Sequence, residues 1–252
     1  MTATRKQPRK KHTPKNKKSW ARRLTAGIIR ILLGFVVISV LLVLTLRWIN
    51  PPTSMMMTIQ RCKALMNHRK DFRIDYRWVN WEQIGLHLPL AFIASEDQKF
   101  PNHHGFDFES ITDSVKTRMN GGRLRGASTI TQQVAKNLFL WPGKSLLRKG
   151  IEAYFTALIE IFWSKRRILE IYMNIAEFGD GIFGVEAACQ RYFSKPAGNI
   201  HLWGAARLAA VLPAPKAMNP KRPSAYVYQR AKWIQRQIDR MGGKLVLDKI
   251  KS

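Results

Sequence analysis

The longest apolar stretch of the 252-residue chain lies near its N-terminus, from Leu24 to Leu46, and Arg30 is the only charged residue within it. A helix of 23 residues reaches about 34 Å, which is enough to cross a bilayer core of about 30 Å. Arg30 lies near one end, where its long side chain can extend to the membrane interface. The pattern therefore predicts a transmembrane helix over residues 24–46.

The charges that flank this stretch predict its orientation. Residues 1–23 contain ten Lys or Arg residues and no acid, whereas the other flank has only Arg47 before Arg61. The positive-inside rule then places the N-terminus in the cytoplasm and everything after Trp48 outside. Because residues 1–23 have few apolar side chains, they are predicted to form a disordered basic tail. A cleaved signal peptide is disfavoured, since no small residues follow the long apolar run.

The rest of the chain shows helical periodicity and no run with period-two alternation, so a mainly α fold is predicted. A membrane-proximal segment over 47–77 precedes a folded domain over 78–252, in which a basic, glycine-rich loop is expected over 120–127. The predicted helices of that domain cover residues 86–95, 108–119, a segment that begins after Thr129, 146–163, a segment that begins at Lys165, 185–192, 203–212 and 225–241.

An apolar run from Leu88 to Ala94 leads into two adjacent carboxylates, Glu96 and Asp97, which are followed by two histidines. Neighbouring side chains on a helix point about 100° apart. If Glu96 faces a cavity, Asp97 is therefore turned away and can make a supporting hydrogen bond. The alternative is a helix end at which both carboxylates are solvated and His103 caps a turn.

A second polar cluster lies on the helix predicted after Thr129. Thr129 and Gln132 have the spacing of a capping box, which marks a helix start. The polar face of this helix has no acid, although solvated faces usually mix acids with bases. Amide donors, an ammonium group and a helix N-terminus suit a phosphate or sugar hydroxyls, and a solvated surface is the alternative. The residues of this face are Gln132, Gln133, Lys136 and Asn137.

A nearly apolar predicted helix carries Glu152, Thr156 and Glu160 as a single polar stripe, with Arg148 one turn before Glu152. Buried carboxylates are rare unless they are paired or functional. Two interpretations are open at this point. One is a buried Arg148–Glu152 ion pair that holds the fold together, and the other is a second carboxylate that lines the same cavity as Glu96.

The amino-acid composition predicts an anionic partner. The formal net charge is +27, and 33 basic and 16 acidic residues remain when the ten basic residues of the first 23 are set aside. The positive excess is thus not confined to the tail, which favours nucleic acid, acidic lipid or a phosphorylated substrate as the partner. Cys62 and Cys189 are far apart and lack metal-ligand spacing, so neither a disulfide framework nor a zinc site is predicted.

With these residues in place, the chain resembles the monofunctional peptidoglycan glycosyltransferases, the membrane-anchored relatives of the glycosyltransferase domain in bifunctional penicillin-binding proteins. The resemblance runs from about Trp78 to Pro220 and rests on four motifs in order. The matching residues are Glu96, Asp97, Phe100, His103 and Gly105 in the first motif, Gly126 through Asn137 in the second, Arg148, Lys149 and Glu152 in the third, and Lys165, Ile168, Leu169, Glu170, Tyr172, Asn174, Glu177, Phe178 and Gly179 in the fourth.

The resemblance implies a two-lobed, lysozyme-like helical fold and a reaction that joins lipid II units into glycan strands, with inversion at C1 and release of undecaprenyl pyrophosphate. It implies that Glu96 accepts the proton of the attacking hydroxyl and that Glu152 is a second essential carboxylate. Asp97 would support Glu96, and His103 would shape the motif. The substrate-binding residues implied are Asp97, Phe100, His103, Ser128, Thr129, Gln132, Gln133, Lys136 and Arg148, with Lys144 a weaker candidate because many relatives carry Arg there.

The same resemblance implies a single-pass protein of the bacterial inner membrane with a periplasmic catalytic domain and sensitivity to moenomycin. Its partners would be lipid II, the growing glycan strand, membrane lipids and proteins of cell-wall synthesis or division, but not nucleic acid. No cofactor is required, although a divalent cation can accompany the pyrophosphate. The apolar residues 138–141 are expected either to enter the bilayer or to belong to the core.

Three other classes of protein share some of these features. A lysozyme-type enzyme that cleaves glycan also uses two carboxylates in a helical cleft, but it gains little from a basic amide face or a membrane anchor. A nucleic-acid-binding protein would have its folded domain on the wrong side of the membrane. A non-catalytic scaffold of the cell-wall machinery would need neither carboxylate.

Overall fold

The computed structural model describes residues 17–119, 121 and 128–250 of the chain. Most of the predicted basic tail, the predicted loop over 120–127 except Gly121, and the last two residues lie outside the described part. The described residues form two units, one that ends at Leu42 and one that begins at Val43.

The first helix, α1, spans Lys17–Leu46. Its segment Arg22–Leu46 has a mean hydropathy of 2.8 and is long and apolar enough to cross a membrane. The helix begins before the predicted span, because residues 17–23, which the sequence assigned to the disordered tail, are helical. Lys and Arg are good helix formers, so a helix that the apolar segment has nucleated extends readily into them.

The unit that begins at Val43 is mainly helical, as predicted. The helix α4 has the predicted bounds, α5 and α7 begin where predicted, and the other predicted helices differ from their predicted ends by one residue. The helices α2 and α11 were not predicted; α2 buries Met57, which is 2% exposed. The helices are α2 (Met55–Met66), α3 (His87–Glu96), α4 (Phe108–Met119), α5 (Ile130–Phe139), α6 (Leu146–Phe162), α7 (Lys165–Ile175), α8 (Val185–Phe193), α9 (Leu202–Val211), α10 (Ala225–Arg240) and α11 (Leu245–Asp248).

A small three-stranded sheet lies beside these helices. It consists of β1 (Asp75–Tyr76), β2 (Glu177–Gly179) and β3 (Ile182–Phe183), in the order β1-β3-β2. The pair β1 and β3 is parallel, with Asp75 opposite Ile182, and the pair β2 and β3 is antiparallel. Strands of two or three residues are too short to show a period-two pattern, which is why the sequence did not predict them.

The helix α3 is deeply buried. Every residue from Leu88 to Ala94 is buried, and the helix packs against α9 and α10. On the other side of the core, α5 packs against α6 and α7. A helix that is apolar all round is stable only when it is enclosed on all sides. The consequence is that the end of α3, at Glu96, is held by the packing of the whole helix.

Two side chains bind the backbone at the end of α1. The indole Nε1 of Trp163 donates to the carbonyl of Val43 at 2.7 Å. The guanidinium of Arg167 donates to the carbonyl of Leu46, at 3.2 and 3.0 Å, and to that of Ile49 at 3.0 Å. The last carbonyls of a helix have no partner within the helix. Trp163 and Arg167 supply donors for them.

Asn174 connects α7 to the segment that precedes α3. Its side chain is fully buried, and its amide exchanges two hydrogen bonds of 2.9 Å with the N–H and C=O groups of Val79. The same amide nitrogen also donates to the carbonyl of Glu170. One side chain thus satisfies both backbone groups of a buried residue.

We expect Asn174→Ala to lower the free energy of unfolding by about 2 kcal/mol or more, because both backbone groups of Val79 would lose their partner while buried. The measurement is denaturant unfolding of the full chain in detergent, followed by tryptophan fluorescence. The control is Asn199→Ala at an exposed position. Equal stability of the two variants would contradict this account of Asn174.

Candidate active site

The carboxylate of Glu96 lies at the end of α3 and lines two neighbouring cavities, of about 770 and about 230 Å³. Its Oε1 atom accepts a hydrogen bond from the hydroxyl of Ser95 at 3.0 Å and pairs with the guanidinium of Arg230 at 3.4 Å. Its Oε2 atom accepts from the amide Nε2 of Gln133 at 3.0 Å. A carboxylate held in this way on the wall of a large cavity is suited to receive a proton.

The neighbouring carboxylate of Asp97 has a different environment. It is buried, accepts from Nε2 of His103 at 2.9 Å and accepts from the backbone N–H of Ile130 at 3.0 Å. Ile130 is the first residue of α5, whose N–H has no partner within the helix. As the sequence indicated, Glu96 faces a cavity and Asp97 makes hydrogen bonds within the fold. His103 is one of the donors to Asp97, and its role in shaping the motif stays a prediction.

The start of α5 is fixed by a capping box, as predicted. The Thr129 hydroxyl accepts from the N–H of Gln132, and the side-chain carbonyl of Gln132 accepts from the N–H of Thr129. Thr129 also donates to the carbonyl of Gly105 at 2.7 Å, which connects α5 to the first motif. Both side chains are buried. They hold α5 so that Gln133 faces Glu96.

Glu152 lies in a cluster of cations. Its side chain is 4% exposed, and it pairs with Arg148 at 2.7 Å and with Lys149 at 2.5 Å. The ion pair of the first interpretation is observed. Glu152 is not among the residues that line the two cavities of Glu96, and its part in the reaction stays a prediction.

Lys136 connects this cluster electrostatically with Glu96. It is half-buried on α5, and the carboxylates of Glu152 and Glu96 and the cations of Arg148 and Lys149 are close enough to act on it. Burial lowers the pKa of Lys136, and the two nearby cations lower it further, while the two carboxylates oppose the shift. A lysine that is costly to charge in the free protein gains more from a bound anion.

The structure separates the predicted site residues into groups. Glu96 and Ser128 line both cavities; Gln133 lines the larger one, and Asp97 and Thr129 line the smaller one. Lys136 and Gln133 line a third cavity, of about 190 Å³. Lys144 is exposed before α6. Three other predicted residues instead form the buried frame of the site: Phe100, His103 and Gln132. The ring of Phe100 lies under the ammonium of Lys165.

One wall of the larger cavity was not predicted from the sequence. This wall is formed by α10 and consists of Tyr226, Gln229, Arg230 and Trp233. Arg230 contacts Glu96 directly, across more than 130 positions of the chain. The available signal was the spacing of Tyr226, Arg230 and Trp233 at i, i+4 and i+7, which places an arginine between two aromatic rings on one helix face.

The apolar run over residues 138–141, which includes the end of α5, divides between core and surface. Leu138 and Leu140 are buried in the core, and the ring of Phe139 stacks on that of Phe155 with the centroids 4.4 Å apart. Only Trp141 of this run is substantially exposed, at 44%. The core interpretation therefore holds for Leu138 and Leu140, and entry of the whole run into the bilayer does not.

The described residues contain no group of three or more His, Cys, Asp and Glu side chains that could hold a metal ion. The polar groups of the site are instead the carboxylates of Glu96 and Asp97 at the cavities, amides beside Glu96, and cations around the paired carboxylate of Glu152. Such a set can move a proton and attract an anion.

A membrane-spanning candidate helix, a helical catalytic unit and this pair of carboxylates with basic neighbours define the class of protein. The family model described as Transglycosylase matches residues 63–239, and the chain belongs to that family. Among curated proteins, it is 50% identical over 229 residues to the biosynthetic peptidoglycan transglycosylase of Xylella fastidiosa strain 9a5c, covering 91% of this chain and 93% of the relative. The protein of the same name from Xanthomonas axonopodis pv. citri strain 306 is 47% identical over 234 residues, covering 93% and 94%.

The lowered pKa of Lys136 predicts the alkaline side of a pH profile. A lysine holds an anion only while protonated, so polymerisation of lipid II should decline as the pH rises through this pKa, below the ordinary range of lysine. Lys136→Arg should move that decline to higher pH, because a guanidinium stays charged. The measurement is the polymerisation rate against pH, with Lys232→Arg on the exposed side of α10 as the control. An unchanged alkaline limb in Lys136→Arg would contradict a role for the Lys136 ammonium in holding an anion.

Proposed function

We propose that this protein is a peptidoglycan glycosyltransferase that polymerises lipid II into glycan strands during cell-wall synthesis. The observation that carries the proposal is the carboxylate of Glu96, held by three donors on the wall of a cavity of about 770 Å³. Membership of the transglycosylase family and the names of the curated relatives support it.

In the proposed reaction, Glu96 is the general base. The 4-hydroxyl of the acceptor sugar attacks C1 of the donor, its proton passes to the carboxylate of Glu96, and the bond from C1 to the pyrophosphate oxygen breaks with its electron pair on the leaving group. A single displacement of this kind inverts the configuration at C1. Asp97 does not take part in proton transfer, because its oxygens are engaged by His103 and Ile130.

The leaving pyrophosphate requires positive charge that is already in position. Lys136 and Arg148 supply this charge in our proposal, and the exposed Lys144 adds to it. Glu152 holds Arg148 and Lys149 in place through its two ion pairs, so it acts as a positioning residue. Preorganised cations of this kind stabilise the charge that develops in the transition state.

The wall formed by α10 is proposed to hold sugar rings. Tyr226 and Trp233 offer aromatic faces to the larger cavity, and Gln229 and Arg230 offer hydrogen-bond donors beside them. Aromatic rings bury large apolar areas with few rotatable bonds, which suits the apolar faces of a sugar. Ser128 and Gln133 also line this cavity and provide further polar contacts.

The helix over Arg22–Leu46 is proposed to anchor the protein in the cytoplasmic membrane, with the N-terminus inside and the catalytic unit outside. This location puts the catalytic unit on the side of the membrane on which a lipid-linked substrate is presented. The scheme needs no cofactor, and a divalent cation would enter only with the pyrophosphate of the substrate. Proteins of cell-wall synthesis or division are proposed as further partners.

The test of this function is polymerisation of lipid II by the detergent-solubilised full chain. We expect Glu96→Gln to reduce the rate by about 100-fold or more, since an amide cannot accept the proton. The matched control is Glu82→Gln, which removes an exposed carboxylate that pairs with Arg166 and should leave the rate unchanged.

Two outcomes would contradict the proposal. Normal polymerisation by Glu96→Gln would leave the protein without its proposed base. Release of reducing ends from purified sacculi, without polymer formation from lipid II, would identify a glycan-cleaving enzyme instead.

A further inference from the structure

Tyr172 is a buried residue of α7 that the proposed chemistry does not use. Its side chain is 1% exposed, and its ring packs edge-on against Phe92 of α3, with the centroids 6.0 Å apart. Its hydroxyl lies 3.3 Å from Oε1 of Gln133 on α5. Tyr172 therefore contacts the helix that ends at Glu96 and the side chain that bonds to Glu96.

The hydroxyl of Tyr172 is a permanent donor. Burial raises the pKa of Tyr172 well above its ordinary value, and the nearby negative charges of Glu96 and Asp97 raise it further. The group thus stays protonated at neutral pH. The hydrogen-bond acceptor observed for it is the side-chain carbonyl of Gln133.

The donor at Tyr172 determines the orientation of the Gln133 amide. With Oε1 turned to Tyr172, the Nε2 group points to Oε2 of Glu96 at 3.0 Å. A rotation of the amide by half a turn would leave the tyrosine donor without its acceptor and would place an amide oxygen against the carboxylate. Both changes leave buried or half-buried polar groups without partners, which is costly.

The amide of Gln133 in turn holds one particular oxygen of Glu96. The Oε1 atom is engaged by Ser95 and Arg230, whereas among the described residues Gln133 is the observed donor to Oε2. A carboxylate oxygen that accepts one hydrogen bond keeps a lone pair free. Oε2 therefore has both a fixed direction and the capacity to accept a proton.

We infer that Tyr172 is a positioning residue that acts through Gln133 to aim Oε2 of Glu96 at the attacking hydroxyl. The inference rests on the proposed function and adds to it which oxygen of the base receives the proton and what holds that oxygen in place. Tyr172 lines the third cavity beside Lys136 and Gln133, and in this scheme it takes no part in the proton transfer. Its effect should appear in the chemical step and not in substrate binding.

The test is a double-mutant cycle on lipid II polymerisation. Tyr172→Phe should lower kcat by about three- to tenfold with little change in KM, which is the range expected for one lost neutral hydrogen bond. In a Gln133→Ala background the same substitution should have no further effect, because the group through which it acts is gone. A merely structural role would give the same slowing in both backgrounds.

The control is Tyr192→Phe. Tyr192 is also a partly buried tyrosine whose hydroxyl bonds to protein, in this case to the carbonyl of Phe178 at 3.0 Å, and it lines none of the three cavities described above. The Tyr192→Phe substitution should leave kcat unchanged. Comparable thermal unfolding of the two Phe variants would show that neither loses activity through unfolding.

Three results would overturn the inference. They are an unchanged kcat in Tyr172→Phe, equal slowing with and without Gln133, and equal slowing by Tyr192→Phe. These results differ from failure of the proposed function itself. In that case the unmodified protein would not polymerise lipid II at all.

Discussion

The carboxylate of Asp97 joins the two helices from which the candidate site is built. It follows the last residue of α3 and accepts the N–H of the first residue of α5, with His103 as its second donor. Hydrogen bonds to an ionised acceptor contribute about 1.5–3 kcal/mol, and the helix N-terminus adds a favourable dipole. This connection sets the position of α5 against the end of α3. Gln133 and Lys136 of α5 therefore lie near Glu96.

A second buried ion pair completes the frame around that connection. The carboxylate of Glu160 accepts from the Thr131 hydroxyl at 2.5 Å and from the ammonium of Lys165 at 2.9 Å, and that ammonium lies 4.6 Å from the ring centre of Phe100. Gly105 packs closely against Glu160 and has a φ of +83°. A Cβ atom at this position would lie 2.8 Å from the Thr156 side chain. Much of the motif pattern therefore specifies a rigid frame, and fewer of its residues face a cavity.

The success of sequence-based prediction depended on how local each feature is. The helices and the capping box at Thr129 are determined by neighbouring residues, and they were predicted closely. The three strands were not predicted because they are too short to show a period-two pattern. Arg230 was not predicted as a site residue because its contact with Glu96 joins distant parts of the chain, and no local pattern indicates such a pairing. Glu152 was predicted to be buried, but the choice between an ion pair and a cavity wall depended on rotamers that periodicity does not contain.

The bonds from Trp163 and Arg167 to the carbonyls of Val43, Leu46 and Ile49 have a practical consequence for making a water-soluble form of this protein. Removal of the N-terminal residues through Leu46 would delete two of those acceptors, the carbonyls of Val43 and Leu46. It would leave a buried indole N–H and part of a guanidinium without partners. The last turn of the apolar helix belongs, in this respect, to the catalytic unit. A shortened protein that retains the chain from Val43 onward keeps these donors satisfied.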